Sequence, residues 1–219
     1  MNTKSEEDYL KCLYHLQEGK SAVSTNEIAK YLSMKASSVS DMLKKLADKN
    51  LVNYLRYKGS TLTKKGELIA LNIIRKHRLW ETFLVEKLGI SWSKVHFIAE
   101  QLEHINSEEL IEKLDHFLGH PEIDPHGDPI PKKNGAIATL NQKLLSELNI
   151  QEKGVITGVK KGTPSLLNYL DKQNIKLGNS IHLISKIEFD HSLEVKINNK
   201  RITLSEKICN NLLIEVSYG

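Results

Sequence analysis

Cysteine is nearly absent: the 219 residues hold only Cys12 and Cys209, far apart in the chain. That excludes a disulfide framework and a Cys-rich zinc motif. No apolar run approaches the roughly 20 residues a membrane-spanning helix needs. The opening residues, MNTKSEEDYL, lack the basic-then-apolar order of a secretory signal. A cytoplasmic location without a membrane partner is therefore expected. Proline is scarce as well, and four of the five (Pro121, Pro125, Pro129, Pro131) crowd into residues 121–131 beside Gly127. A helix does not survive such a run, so this stretch reads as a linker.

Positive charge is present but uneven. The whole chain carries +4, whereas residues 1–65 hold twelve Lys or Arg against seven Asp or Glu, a surplus of five. A basic first segment points weakly to an anionic partner such as DNA, and a solvated Lys-rich surface accounts for it equally well. The length accommodates two small domains or one large one, and 40% hydrophobic content is enough to build a core.

The first segment reads as helix, helix, short break, helix, hairpin. Residues 5–18 form the first helix, with Ser5 and Asp8 as a capping box. Residues 25–32 form a second, capped by Ser24 or Thr25. After a break at 33–35, residues 36–49 keep Val39, Met42, Leu43 and Leu46 at helical spacing. Leu51–Leu55 and Ser60–Thr63 are two short strands turned at Lys58-Gly59. This is the order of a winged helix-turn-helix, with 36–49 as the recognition helix. Its start offers Ser37, Ser38 and Ser40 for close approach to DNA. Lys35, Lys44 and Lys45, with Arg56 and Lys58 on the wing, suit phosphate contacts, which position a protein without specifying sequence. Small hydroxyls alone at the base edges imply that DNA shape carries part of the specificity. A plain three-helix core with no DNA role is the alternative.

Three helices follow, over about 64–88, 92–105 and 107–118, and one more is expected over 135–148. After Gly154 the texture turns to strands: GVITGV, SIHLISKI, LEVKI, RITL and LLIEV, with turn signals at Gly178-Asn179 and Asn198-Asn199. They predict a small β-barrel with a helical insert near Leu166–Asp171.

The chemistry lies on the helix 92–105. At about 100° per residue, with His96 at zero, Glu100 falls near 40°, Glu103 near −20° and His104 near 80°. One face thus holds only imidazoles and carboxylates, without the mixed signs of an ordinary solvated face. The opposite face, Val95, Ile98, Ala99, Leu102 and Ile105, is apolar. On the preceding helix His77 and Glu81 fall in the middle of an apolar stripe with Ala70, Ile73, Ile74, Leu84 and Leu88. A carboxylate on a core-facing stripe costs several kcal/mol unless paired or bound to a metal. Arg75 and Arg78 point elsewhere on that wheel. A cation shared between the two helices is the favoured compensation; a His–Glu hydrogen-bond network without metal is the rival. Imidazole and carboxylate ligands without thiolate favour Mn²⁺ or Fe²⁺ and disfavour structural zinc.

The stretches EDYLKCLYHL, RKHRLWETFL, KVHFIAEQLEH and DPHGDPIP, taken with the winged helix and the strand-rich end, resemble the DtxR/MntR family of metal-dependent transcriptional repressors nearly end to end. The resemblance implies a mostly α chain with small β. A winged helix-turn-helix would span 1–65, and a helical metal-binding and dimerisation domain 66–148, including the linker 119–134. An SH3-like, FeoA-type β-barrel would span 149–219. It implies a first metal site of Asp8, Glu100, Glu103 and His104, with His77 close by or shared. It implies a second site of His77, Glu81 and His96 in one branch, or of Glu81, Asp124 and His126 in another. Iron-responsive members carry Cys at the position of Glu100 and Met at that of Asp8, so this chain looks like the manganese branch. It departs at Lys11, where one manganese regulator type has a Glu ligand. It departs again at Gly162 and Ser165, where a family site draws ligands from the SH3-like domain.

The function expected is a homodimeric repressor that binds a palindromic double-stranded operator when loaded with Mn²⁺ or Fe²⁺, without a small-molecule substrate. It would act on genes of manganese or iron homeostasis. A metalloenzyme using the same His/Glu site, and a winged-helix regulator blind to metal, are the competing expectations. The sequence shows no further chemistry that an enzyme would need.

Overall fold

The computed structural model describes residues 2–55, 58–160 and 162–216. The chain divides into two compact units. The first comprises Met1–His77, Gln101–Glu108 and Pro131–Ile137; the second comprises Arg78–Glu100, Glu109–Ile130 and Ala138–Gly219.

The first unit contains α1 (Lys4–Gln17), α2 (Thr25–Tyr31), α3 (Ala36–Asp48), β1 (Val52–Leu55), β2 (Gly59–Leu62) and the start of α4 (Lys64–Glu86). Helix α1 is capped by Thr3, whose side chain accepts from the Glu6 N–H while the Glu6 carboxylate accepts from the Thr3 N–H. The expected Ser5/Asp8 capping box is therefore displaced by two residues. Asp8 is released from capping and free to face elsewhere. Helix α2 starts at the same kind of box, between Ser24 and Glu27. Strands β1 and β2 pair antiparallel from Val52 with Leu62 to Leu55 with Gly59, forming the wing. Ser60 exchanges both backbone bonds with Val23, which stitches the wing to the chain before α2. A Cβ at Gly66 would lie 2.0 Å from the Leu51 carbonyl oxygen, so only glycine lets the first turn of α4 pass so close to β1. Tyr9, Leu10, Leu13, Ile28, Val39, Leu43 and Leu46 bury together with Val23, Val52 and Ala70 in one core. Their shared burial is what holds α1, α2 and α3 together.

In the second unit, α5 (Val95–Leu102) and α6 (Glu108–Phe117) begin or end at the unit boundaries. Leu79, Ile111, Leu114 and Ile130 form a small core there, flanked by Trp80 and Phe83. Strands β3 (Lys143–Leu144), β4 (Lys153–Val159), β5 (Ser180–Lys186), β6 (Leu193–Ile197), β7 (Lys200–Leu204) and β8 (Leu212–Val216) form one antiparallel sheet in the order β3-β8-β4-β5-β6-β7. Among the described residues the hydrogen-bonded order runs from β3 to β7, forming the small strand-rich domain expected at this end of the chain. Helices α7 (Pro164–Lys172) and α8 (Glu206–Cys209) lie between strands. The sheet core holds Leu145, Leu148, Ile156, Leu183, Val195, Leu204, Leu212 and Ile214, with Trp92 packed into it.

The helix expected over 135–148 does not form. Gly135 sits at φ +83, and the only regular structure in the stretch is β3 and a 3-10 turn at Leu145–Glu147. The reason is burial: Leu145 and Leu148 both insert fully into the sheet core, which an isolated helical turn spacing could not anticipate. The proline-rich stretch carries no helix, as expected, yet it is internally ordered. Ile123 bridges Pro129, and the Ile130 N–H donates to the Glu122 carbonyl.

Candidate metal centres

Among the described residues each unit holds a carboxylate–imidazole group of its own, partly buried in the first unit and fully buried in the second. The first joins Asp8 of α1 to Glu103 and His104, each offering a ligand atom, all within 4.8 Å of one another. Glu103 and His104 lie in the turn after α5, because that helix ends at Leu102. The helical wheel thus stops before them, and the four-residue stripe read from sequence is broken at Leu102.

His104 shows what the group requires. Its Nδ1 is 2.7 Å from Glu7 Oε2, a carboxylate that only accepts, so Nδ1 carries the hydrogen. The Nε2 then turns its other face to Asp8 Oδ1 at 3.1 Å and Glu103 Oε1 at 3.6 Å. A nitrogen lone pair facing two carboxylate oxygens is repulsive unless a proton or a metal ion lies between them. The carboxylate–imidazole–cation arrangement, with Glu7 as the outer carboxylate, is a usual way to orient a ligating histidine. Sequence reasoning missed Glu7, and nothing in its spacing distinguishes it from a surface acid.

Glu103 is 1% exposed and its oxygens are heavily used. Lys11 Nζ reaches Oε1 at 2.9 Å and Oε2 at 2.7 Å, and His77 Nδ1 bonds Oε2. Burial pushes the Glu103 carboxyl up, but the bonds from His77 and Lys11 outweigh it and hold it below its ordinary value. Burial raises the Asp8 carboxyl, only partly opposed by His104 and nearby lysines. Burial likewise lowers the Lys76 ammonium, against the pull of Glu7 and Glu103.

The second group is Glu81, Asp124 and His126, all buried and also within 4.8 Å. Glu81 Oε1 is 3.2 Å from His96 Nδ1 and Oε2 is 3.4 Å from His126 Nδ1. His126 Nε2 lies 3.3 Å from the Trp92 carbonyl, an acceptor, so here too the second ring nitrogen faces a carboxylate with either a proton or a cation between them. Burial lowers the imidazole, but Glu81 and Asp124 outweigh it and raise it above its ordinary value. Its ring stacks on Trp92 at 5.7 Å. Burial and the neighbouring Glu81 and Asp128 charges push the Asp124 carboxyl up to about 7, despite Arg78 and His126. Arg78, which the wheel directs away from this stripe, comes within 3.6 Å of Asp124 and donates to the Pro129 carbonyl. The loop is locked by Asp124 Oδ1, which accepts from the His126 and Asp128 N–H groups, and by Gly127. At φ +89, a Cβ on Gly127 would meet the Thr157 carbonyl at 2.0 Å. A Cβ at Gly162 would lie 3.8 Å from His126 Cδ2, so this position neighbours the group but supplies no ligand.

Of the other expected ligands, His77 stands one turn before Glu81 on α4 and bonds Glu103. His96 and Glu100 are exposed on α5, with Glu100 Oε1 3.6 Å from His96 Nε2. Glu100 belongs to neither buried group. On α3, Lys35, Ser37, Ser38 and Lys44 are exposed, Ser40 is half-buried, and Lys44 pairs with Asp41 at 3.1 Å. Lys45, itself exposed, pairs with buried Glu6 at 3.0 Å, joined there by Lys49 at 2.7 Å. Lys58 is exposed on the wing; Arg56 lies outside the described residues.

Comparison with known proteins gives three family matches in succession. They are an iron dependent repressor N-terminal DNA binding domain over residues 1–60 and an iron dependent repressor metal binding and dimerisation domain over 63–132, followed by a FeoA domain over 143–216. An uncharacterized HTH-type transcriptional regulator of Methanocaldococcus jannaschii is 41% identical over 117 residues, 53% of this chain and 94% of that protein. The iron-dependent repressor IdeR of Mycobacterium tuberculosis is 34% identical over 57% of this chain and 54% of its own length. Among solved structures, a manganese-dependent transcriptional repressor in complex with manganese superposes with a TM-score of 0.84 at 33% identity, over 96% of this chain and 99% of that one. ScaR with bound Zn²⁺ gives 0.71 at 33% identity, over 96% of this chain and 98% of that one.

Proposed function

Because the chain belongs to the iron-dependent repressor family, whose members are metal-dependent DNA-binding regulators and not enzymes, we propose that it represses transcription in response to Mn²⁺ or Fe²⁺. In this reading it binds a palindromic operator as a homodimer. The observation that carries it is the His104 imidazole, oriented by Glu7 and facing Asp8 and Glu103. Asp8 belongs to α1, and α1 packs in the same core as the recognition helix α3. A cation held there ties α1 to the turn after α5 and selects one arrangement of the winged helix. The ion supplies positive charge and a fixed coordination geometry; the chain supplies hard oxygen and imidazole donors, which favour Mn²⁺ or Fe²⁺.

Asp8, Glu103 and His104 are the proposed ligands of the first ion, with His77 holding Glu103. Glu81, Asp124 and His126 are the proposed ligands of a second, with His96 beside Glu81. Glu100 would join the first site only by a change of side-chain position. The proposed DNA surface is Ser37, Ser38, Ser40 and Lys44 on α3, Lys35 at its N-cap and Lys58 on the wing, with Arg56, which lies outside the described residues. Exposed Leu88, Phe97, Leu110 and Phe117 in the second unit support a face for a second copy. No helix among the described residues is long and apolar enough to cross a membrane.

The test is a DNA-binding titration against Mn²⁺, Fe²⁺ and Zn²⁺ at fixed salt. Binding should require metal and weaken steeply as salt rises. Tight binding to a selected duplex in excess chelator would refute the proposal.

A further inference from the structure

We infer that Lys11 is a tethered place-holder cation, whose ammonium occupies the Glu103 carboxylate in the metal-free protein and must leave it before a divalent ion can use that carboxylate. The inference rests on the metal-responsive reading above and adds what sets the threshold of the first site.

The geometry is specific. Lys11 lies one turn after Asp8 on α1, and its Nζ contacts both Glu103 oxygens, at 2.7 and 2.9 Å. Its side chain is 13% exposed and that of Glu103 is 1% exposed, so the pair is largely withdrawn from water. The same two oxygens are what Glu103 has to offer a metal, and one of them already accepts from His77. An ammonium and a divalent ion on one carboxylate repel each other strongly in a partly dry site. Divalent binding through Glu103 is therefore an exchange of one cation for another. The lysine stem is flexible, and 13% exposure gives the ammonium a route to solvent.

Two consequences follow. The metal-free protein does not carry an uncompensated buried carboxylate at Glu103, which would otherwise cost several kcal/mol. The affinity for metal is correspondingly reduced, because the incoming ion must displace a partner already in place. A lysine here raises the metal concentration at which the site fills, by occupying Glu103 and without itself being a ligand.

The experiment compares the full-length wild type with K11Q and K11R. Mn²⁺ is titrated while the His104 and His126 ring signals are followed separately by NMR, since paramagnetic broadening reports each group by itself. Melting temperatures are measured in chelator and in saturating Mn²⁺. K11Q should broaden His104 at Mn²⁺ concentrations lower by on the order of tenfold to a hundredfold, the size of one displaced charge at close range. Its His126 midpoint should not move, its metal-free melting temperature should fall, and Mn²⁺ should restore most of the loss. K11R, which keeps the charge, should titrate like the wild type. An unchanged His104 midpoint in K11Q would overturn the place-holder role, as would weaker binding. If the wild-type His104 signal fails to respond to Mn²⁺ at all, it is the metal-responsive reading that falls.

Discussion

Replacing Glu6 with Gln cuts a buried ion pair that ties the first turn of α1 to the recognition helix. The Glu6 side chain is fully buried, and it accepts from Lys49 at 2.7 and 2.8 Å and from the Thr3 N–H at 3.0 Å, with Lys45 at 3.0 Å. Burial pushes its carboxyl up, but Lys49, the Thr3 N–H and Lys45 hold it down at about 2, from 4.5. Taken at face value such a shift is worth about 3 kcal/mol. Lys45 and Lys49 are 53% and 39% exposed, however, and water screens them. Gln also keeps the cap bond to Thr3. The expected loss is therefore about 1–2 kcal/mol at pH 7. The sign is fixed by the depressed folded value: this stabilisation is present above about pH 4.5 and drains away as pH falls toward 2. Denaturant unfolding of wild type and E6Q, followed by circular dichroism, should separate at pH 7 and converge near pH 2–3. Because Glu6 ties α1 to Lys45 and Lys49 while Glu7 and Asp8, not Glu6, face His104, E6Q should also weaken DNA binding at saturating Mn²⁺ while leaving the His104 Mn²⁺ titration in place. A stability difference that persists unchanged at pH 2–3, or one below a few tenths of a kcal/mol at pH 7, refutes the reasoning.

Glu103→Gln should abolish the Mn²⁺ response of His104 and destabilise the metal-free protein by about 3 kcal/mol, since Lys11 loses its counter-charge in a mostly dry site; Mn²⁺ titration and denaturant unfolding measure the two effects. Gly127→Ala forces a Cβ against the Thr157 carbonyl at a positive φ. It should cost roughly 2–3 kcal/mol and weaken Mn²⁺ broadening of His126 more than of His104. Lys44→Ala should lower the salt slope of DNA binding by about one without altering the Mn²⁺ titration. Lys45→Ala should instead behave like E6Q, with a stability loss near 1 kcal/mol, because Glu6 already engages that ammonium.

Much of this protein is written in local pattern. The apolar periods of α1, α3 and α4, the turn residues around the wing, the crowded prolines and the alternating strands after Gly154 place the elements within a few residues, because each is decided by neighbours close in the chain. The candidate chemistry is also local: a run of His and Glu without Lys or Arg points to a cation by composition, with a solvated face or a metal-free hydrogen-bond network as the rival readings. What belongs together is not local. The stripe of His96, Glu100, Glu103 and His104 divides because α5 stops at Leu102, so wheel angles cease to apply where Glu103 and His104 begin. Asp8 reads as a cap until Thr3 and Glu6 take that role. The stretch 135–148 reads as a helix until Leu145 and Leu148 find the sheet core. Lys45 reads as a phosphate contact and Lys11 as a departure from the family's ligand set, yet each meets a buried carboxylate, 92 residues away in one case. Helical phase and turn chemistry are short-range and survive in a one-dimensional string. The pairing of a buried charge depends on which distant element desolvates it, and only the packed chain decides that.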